Sequence, residues 1–363
     1  MSAPTSPVHP ALHTALCDLV GVRYPIVQTG MGYVSGPELT AATAAAGGLG
    51  ILASATLSLD ETRDAIRAVR ERTDAPFGVN IRGDSPDVLE RGALLVREGV
   101  KIASFALAPT ERVIRELKDS GLVVIPSVGA RRHAEKVQAW GVDAVVAQGA
   151  EGGGHTGAVP TSILLPQVVD AVGIPVIAAG GFRDGRGLVA ALAQGAVGIA
   201  MGTRFLLTSD STVRDSVKAE YLERGVADTV VTPALDGIPQ RVLRTEAVER
   251  LLRERAPARL VRSLRHAVAF RKVSGTPWSD LVREGLAMRR SHELGWSQVV
   301  MAANTPMMLR ASMVDGRTDL GTLASGQVAG VIDDLPSCAD LVERIVMEAD
   351  TVLTRLTTAG AKR

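Results

Sequence analysis

Aromatic residues are scarce in this 363-residue sequence: Phe, Trp and Tyr together make up 3% of it. A core built with few rings has to be filled by small aliphatic side chains, and a hydrophobic fraction of 46% supplies them. Cysteine is rarer still. Cys17 and Cys338 stand near opposite ends with no CxxC spacing and no Cys/His cluster, which argues against a disulfide framework and a structural zinc site and points to a reducing compartment; no metal is expected. No apolar run of about 18 residues occurs, and the opening MSAPTSPVHP lacks the charged and apolar segments of a signal peptide. A soluble, cytoplasmic protein that meets no membrane is the expectation. An excess of one charge is missing too, the formal net charge being +1. That balance hides an asymmetry, because residues 241–290 hold 13 Lys/Arg against 5 Asp/Glu. The stretch reads either as solvated amphipathic helices or as a surface for a partner bearing several phosphates. Nucleic acid is not that partner, since the stretch has few aromatics for stacking and no recognised module.

What the sequence does have is a steady alternation of short apolar runs and helical patterns, the mark of repeated βα units around a parallel sheet. The expected strands are Pro25–Met31, Gly48–Ser54, Pro76–Ile81, Val100–Leu107, Val123–Val128, Ala144–Gln148, Pro175–Ala179 and Val197–Met201. Between them lie helical segments such as Leu59–Arg72, Pro86–Glu98, Pro109–Ser120, Arg131–Trp140 and Gly185–Gln194, several opened by Asp, Ser or Pro. Eight strands is the count of a (β/α)8 TIM barrel. An open doubly wound sheet is the alternative, but the first strand is followed by GMGYVSG, which lacks the spacing of a dinucleotide fingerprint. The barrel is assigned to residues 15–207. From Thr208 the alternation stops, and residues 208–363 read as a mainly helical extension and lid packed on the barrel. Its expected helices are Ser211–Arg224, Thr245–Arg255, Ala258–Lys272 and Ser337–Thr354. The small, Gly-rich Gly321–Gly330 is either a lid or a connector.

In such barrels the reacting groups come from the C-terminal ends of strands, and phosphate is held after strands seven and eight. Here those loops offer Gly180 and Gly181, then Gly202 and Thr203: backbone N–H groups with no side chain in the way, and one hydroxyl. The sixth strand ends at Gln148 and runs into GAEGGGHTG. Of six histidines, His155 alone stands at a strand end, where an imidazole with an ordinary pKa of about 6.5 suits proton transfer. Glu151 is a second acid or base, or else a loop cap. Asn80 and Gln148 are strand-end amides, each both donor and acceptor, suited to the edge of a neutral heterocycle.

PIVQTGM, FGVNI, QGAEGGGHTG, AAGGFRDG and MGTRF, taken together and in this order, resemble the nitronate monooxygenase (2-nitropropane dioxygenase-like) flavoprotein family. The likeness runs from about Val20 to Phe205, with a weaker echo at Ser325–Gly330. It implies bound FMN, contacted by Gly30, Met31, Asn80, Gln148, Gly153, Gly180, Gly181, Gly202 and Thr203, with His155 in the position of the family's catalytic histidine. Where the family usually has Ala-Pro before the methionine, Thr29 and Gly30 stand here. Through MGTRFLLTSDST, MAANTPM and LASGQVAGVIDDLPSC the chain is similar to a subgroup acting on CoA esters in bacterial steroid catabolism. That likeness implies α,β-dehydrogenation of a bicyclic acyl-CoA, or the reverse reduction, with NAD(H) as co-substrate. The CoA phosphates would then give the basic stretch a reason, with Arg244, Arg262, Arg265, Arg271 and Lys272 as candidate contacts. Nitronate oxidation, enoyl-thioester reduction and redox-silent binding of a phosphorylated ligand remain the alternatives, and a homo-oligomer stays open.

Overall fold

The computed structural model describes residues 8–253 and 304–360. Its strands are β1 (Ile26–Gln28), β2 (Leu49–Ala53), β3 (Phe77–Asn80), β4 (Ile102–Phe105), β5 (Val123–Val128), β6 (Val145–Gln148), β7 (Gly154–His155), β8 (Val176–Ala179), β9 (Gly198–Met201), β10 (Thr229–Thr232) and β11 (Gln240–Leu243). All except β7, β10 and β11 form a closed parallel barrel in chain order. The ring shuts where β9 pairs with β1 in the register Ile26↔Ile199, Val27↔Ala200, Gln28↔Met201. Each barrel strand falls within a stretch expected from the sequence; β5 coincides with it, and the others are shorter at one or both ends. The reason is visible at β1. The side-chain amide of buried Gln28 donates to Ser35 Oγ (2.8 Å), to Ile51 O (3.2 Å) and to Thr29 O, so side-chain bonds replace the ladder as the chain turns away.

Small aliphatics fill the ring. Val27, Leu49, Ile51, Ile125, Val146 and Ile177 meet Leu16, Cys17 and Val20 from helix Ala15–Val20, and no aromatic ring enters this layer. Thr14 Oγ1 donates to Val197 O at 2.5 Å, which holds that helix at the N-terminal end of the barrel. Fully burying a leucine or isoleucine here stabilises by about 1.5–3 kcal/mol. A larger apolar layer separates the strands from the outer helices. Helix Leu59–Arg70 is opened by a capping box of Ser58 and Glu61, and its Thr62, Ile66 and Val69 are buried. Since all eight strands run the same way, their C-terminal ends open on one face.

The extension holds helices Asp215–Leu222, Glu246–Arg253, Asn304–Met313 and Cys338–Gly360. It also holds β10 and β11, where the sequence pattern gave only helices and loops. Four residues each, TVVT and QRVL, are too short for a period-2 pattern to stand out, and β11 finds part of its pairing far away in the chain. It joins β10 on one side and β7 on the other, with Gln240↔His155 and Arg241↔Gly154 antiparallel. The expected helix Ala258–Lys272 lies outside the described residues. The last helix packs on helix Gly185–Ala193 so closely that a Cβ at Gly185 would fall 2.4 Å from Ala349 N, and the Gly185 N–H donates to Glu348 Oε2 at 2.9 Å. Arg204, just past β9, is buried against Asp334 at 2.7 Å. Cys17 and Cys338 are buried and unpaired. Among the described residues no helix is long and apolar enough to cross a membrane, and no cluster of ligating side chains could hold a metal ion.

Candidate active site

A cavity of about 680 Å³ opens at the C-terminal mouth of the barrel. His155, Gly30, Met31, Asn80, Gln148, Gly153, Gly180, Gly181, Gly202 and Thr203 all line it. Arg244 does not: it follows β11 with its guanidinium half-exposed and paired to Glu249 at 3.3 Å. Arg262, Arg265, Arg271 and Lys272 lie outside the described residues.

One side of the cavity is built from backbone. Gly180 and Gly181 follow β8 with φ of +100° and +83°, a region where a Cβ is strained. Their N–H groups, and those of Gly202 and Thr203 after β9, find no acceptor among the described residues. Four free N–H donors at the end of adjacent strands form a cradle for an anion. The Thr203 hydroxyl oxygen accepts from the Gly326 N–H at 2.9 Å, which leaves its own proton to donate. Next to the cradle, β1 leads into Gly30, where a Cβ would fall 2.5 Å from Asn80 Cβ; only a glycine lets the two strand ends lie this close. Asn80 Nδ2 donates to Ser104 O at 3.3 Å and Gln148 Nε2 to His155 O at 2.8 Å. Each amide thus gives one of its two N–H donors to a neighbouring carbonyl and keeps its oxygen as an acceptor for a ligand N–H.

The other side is built from side chains. His155 Nε2 lies 2.8 Å from Asp236 Oδ2, on the loop between β10 and β11. Asp236 is 4% exposed and accepts three further hydrogen bonds, from Gln240 Nε2 (3.0 Å), Thr305 Oγ1 (2.9 Å) and the Ile238 N–H (3.1 Å). Burial alone would push its carboxyl up, but the bonds from His155, Ile238 and Thr305 and the charge of the imidazole hold it below the usual carboxylate range. An ionised carboxylate only accepts, so Nε2 donates to it. Nδ1 has no partner among the described residues, on a ring that lines the cavity with 40% of the side chain exposed. The pairing of β7 with β11 brings the two side chains together.

Glu151 has a different task. Its carboxylate accepts from Thr161 N (3.0 Å) and Thr161 Oγ1 (2.8 Å), so it caps the start of helix Thr161–Val169. The segment Gly321–Gly330 forms part of the cavity wall. Ser325 is fully buried, Gln327 N–H donates to Glu151 O at 3.0 Å, and a Cβ at Gly153 would meet Gly326 N at 2.6 Å. The glycine loop and the extension therefore touch backbone to backbone.

Asp236, Gln240, Thr305 and Tyr33 were not among the sequence candidates. Asp236 and Gln240 sit in a stretch with no catalytic spacing, where the only local cue is the turn signal of Asp236-Gly237, and Thr305 lies in MAANTPM, which carried the resemblance but no assigned role. Tyr33 lines the cavity and is the one non-glycine among the described residues with positive φ, at 62°. Its phenol is pushed up by burial, partly offset by Arg310.

Residues 13–348 match the profile of a family described as nitronate monooxygenase. A Mycobacterium tuberculosis protein named (3aS,4S,5R,7aS)-5-hydroxy-7a-methyl-1-oxo-octahydro-1H-indene-4-carboxyl-CoA dehydrogenase is 60% identical to this chain, over 96% of this chain and 99% of its own length. A probable nitronate monooxygenase from Staphylococcus saprophyticus is 33% identical, over 66% of this chain and 81% of its own. Among solved structures, FabK from Thermotoga maritima superposes with a TM-score of 0.77 at 35% identity, covering 95% of this chain and 99% of that one.

Proposed function

Because this chain belongs to the nitronate monooxygenase family, we propose that it is an FMN-dependent oxidoreductase that removes hydrogen from the α and β carbons of a bicyclic, steroid-derived acyl-CoA, with NAD+ as electron partner. The observation that carries this reading is the His155–Asp236 pair. It is assembled from barrel and extension together, in a chain whose likeness to a CoA-ester dehydrogenase runs through both. FMN suits the cavity on physical grounds: four unpaired N–H donors for its phosphate at Gly180, Gly181, Gly202 and Thr203, and the amide oxygens of Asn80 and Gln148 for its ring edge. When bound, FMN supplies the acceptor for a hydride, chemistry that no side chain here can provide.

The chain's own residues manage the proton. The α-carbon of a thioester is acidified by its carbonyl, and His155 Nδ1 is the base that takes the proton from it. Charge then appears on the imidazole, and Asp236, already ionised and fixed by Gln240, Thr305 and Ile238, stabilises it without rearranging. The same bonds set the ring's tautomer and direction.

The test is direct. Purified yellow enzyme is mixed with the hydroxylated bicyclic CoA ester and NAD+, and absorbance at the NADH band and product mass are followed. NADH formation with a product lighter by two hydrogens is expected; an inert mixture overturns the reading. Oxygen uptake with a nitronate, without reduction of the flavin by NADH, would instead assign the chain the activity named for its Staphylococcus relative.

A further inference from the structure

The wall of the cavity farthest from the glycine cradle is not explained by the chemistry above. Around the eight-stranded ring, β4 stands diametrically across from β9, and β5 is the next strand. There the cavity wall runs from Leu107 and Thr110, after β4, to Lys136 and Trp140 on helix Arg131–Ala139 and its cap, outside the barrel. A pocket serving only the cofactor and a small bicyclic acid has no need of this arm. Its composition is also unlike the rest. Trp140 is the one tryptophan among the described residues, in a chain poor in rings, and its indole is half-buried with Lys136 Nζ 4.8 Å above the ring. Lys136 has no carboxylate partner among the described residues, and neither does the exposed Arg132 one turn earlier. Arg131 pairs with Glu135 at 2.8 Å, so one of the helix's cations is neutralised and two are not. Burial and the charges of Arg132 and Lys136 hold the His133 imidazole below its ordinary value, a sign of net positive potential on this face.

We propose that Trp140, Lys136 and Arg132 form the subsite for the phosphoadenosine end of the CoA thioester, with the pantetheine arm lying along the wall past Leu107 and Thr110. The inference rests on the CoA-ester reading above and deepens it. An adenine ring stacks on an indole, and the phosphates meet two cations that no carboxylate among the described residues satisfies. The acyl end then points inward to His155 while the nucleotide end lies outside the barrel, along helix Arg131–Ala139.

Calorimetric titration of FMN-loaded enzyme with free CoA, dephospho-CoA and pantetheine tests this without turnover. CoA is expected to bind at least about tenfold more tightly than pantetheine, with dephospho-CoA between them. Lys136→Glu and Arg132→Glu, both at exposed positions that leave the fold intact by thermal melting, are each expected to weaken CoA about tenfold and pantetheine by less than twofold. Trp140→Phe keeps a stacking ring, so it should cost less than Trp140→Ala. Equal affinity of CoA and pantetheine for the native enzyme, or no CoA binding at all, overturns the subsite. Loss of CoA affinity in Arg244→Glu but not in Lys136→Glu overturns it too. Failure of the dehydrogenation reading shows elsewhere, as CoA that binds here as described while the bicyclic ester is never oxidised.

Discussion

The two sides of the active-site cavity are made in opposite ways. The side after β8 and β9 is backbone: Gly180, Gly181, Gly202 and Thr203 present N–H groups fixed by local dihedral angles within a few residues of each strand. The side after β6 is side chain, and its central bond joins residues 81 apart in sequence, His155 and Asp236. One is a product of local geometry inside the barrel; the other exists only because the extension is docked. Binding of a phosphate-bearing cofactor and transfer of a proton should therefore fail independently.

The largest expected effect breaks the comparison cleanly. His155→Ala should lower kcat by about 10²–10⁴-fold while the protein stays yellow, because general base catalysis is worth that much and the cradle is untouched. Gly180→Ala should do the reverse: with φ at +100° and Thr161 Oγ1 2.9 Å from the new Cβ, the loop must shift, and the protein should purify without flavin. Stopped-flow rates and the flavin absorbance of each variant check both halves.

Asp236→Asn is expected next, lowering kcat by about 10–100-fold with flavin content unchanged, since the amide can present its N–H to Nε2 and reverse the tautomer. It also carries a pH signature. The Asp236 carboxyl is held below its ordinary value in the folded protein. Its contribution to stability is thus complete above the unfolded-state value of about 3.9, and is lost as pH falls through the lower, folded-state value. Urea melts should show the native protein losing more stability than the variant on acidification below about pH 4; parallel curves would show that Asp236 is not linked to folding in this way.

The smallest effect sharpens the contrast. Glu151 stands between the two sides and could be mistaken for a second acid or base. As a cap on Thr161 it should cost about 1 kcal/mol of stability on change to Gln, with kcat within about threefold of native. A drop in kcat as large as that of His155→Ala would place Glu151 in the chemistry after all.

The difference between the sides also governs what could be read from the sequence. The barrel was legible because each strand is a short apolar run framed by turn residues, and β5 falls on the expected Val123–Val128. The cradle residues were legible for a related reason, because glycines immediately after a strand have few other uses. Asp236 and Gln240 were not, since nothing in a stretch such as PALDGIPQ says which distant loop it will meet, and MAANTPM gave no sign that its Thr305 would join them. β10 and β11 escaped for the same reason: much of their order comes from pairing with each other and with β7 rather than from their own pattern. The basic stretch stands out by composition, yet its one described candidate, Arg244, does not line the cavity and pairs with Glu249 instead. Lys136 sits in a helix of ordinary composition and acquires meaning only from the opening it lines, with Arg132 one turn earlier.

The antiparallel pairing of β7 with β11 has a consequence for how the enzyme comes into being. On a ribosome adding about 5–20 residues per second, Asp236 emerges on the order of seconds after Thr203, which follows the last barrel strand. During that interval the nascent barrel can close, while the His155 imidazole still lacks the Asp236 carboxylate. On the function proposed above, a chain that has not yet made Asp236 is expected to hold the flavin before it can orient its base.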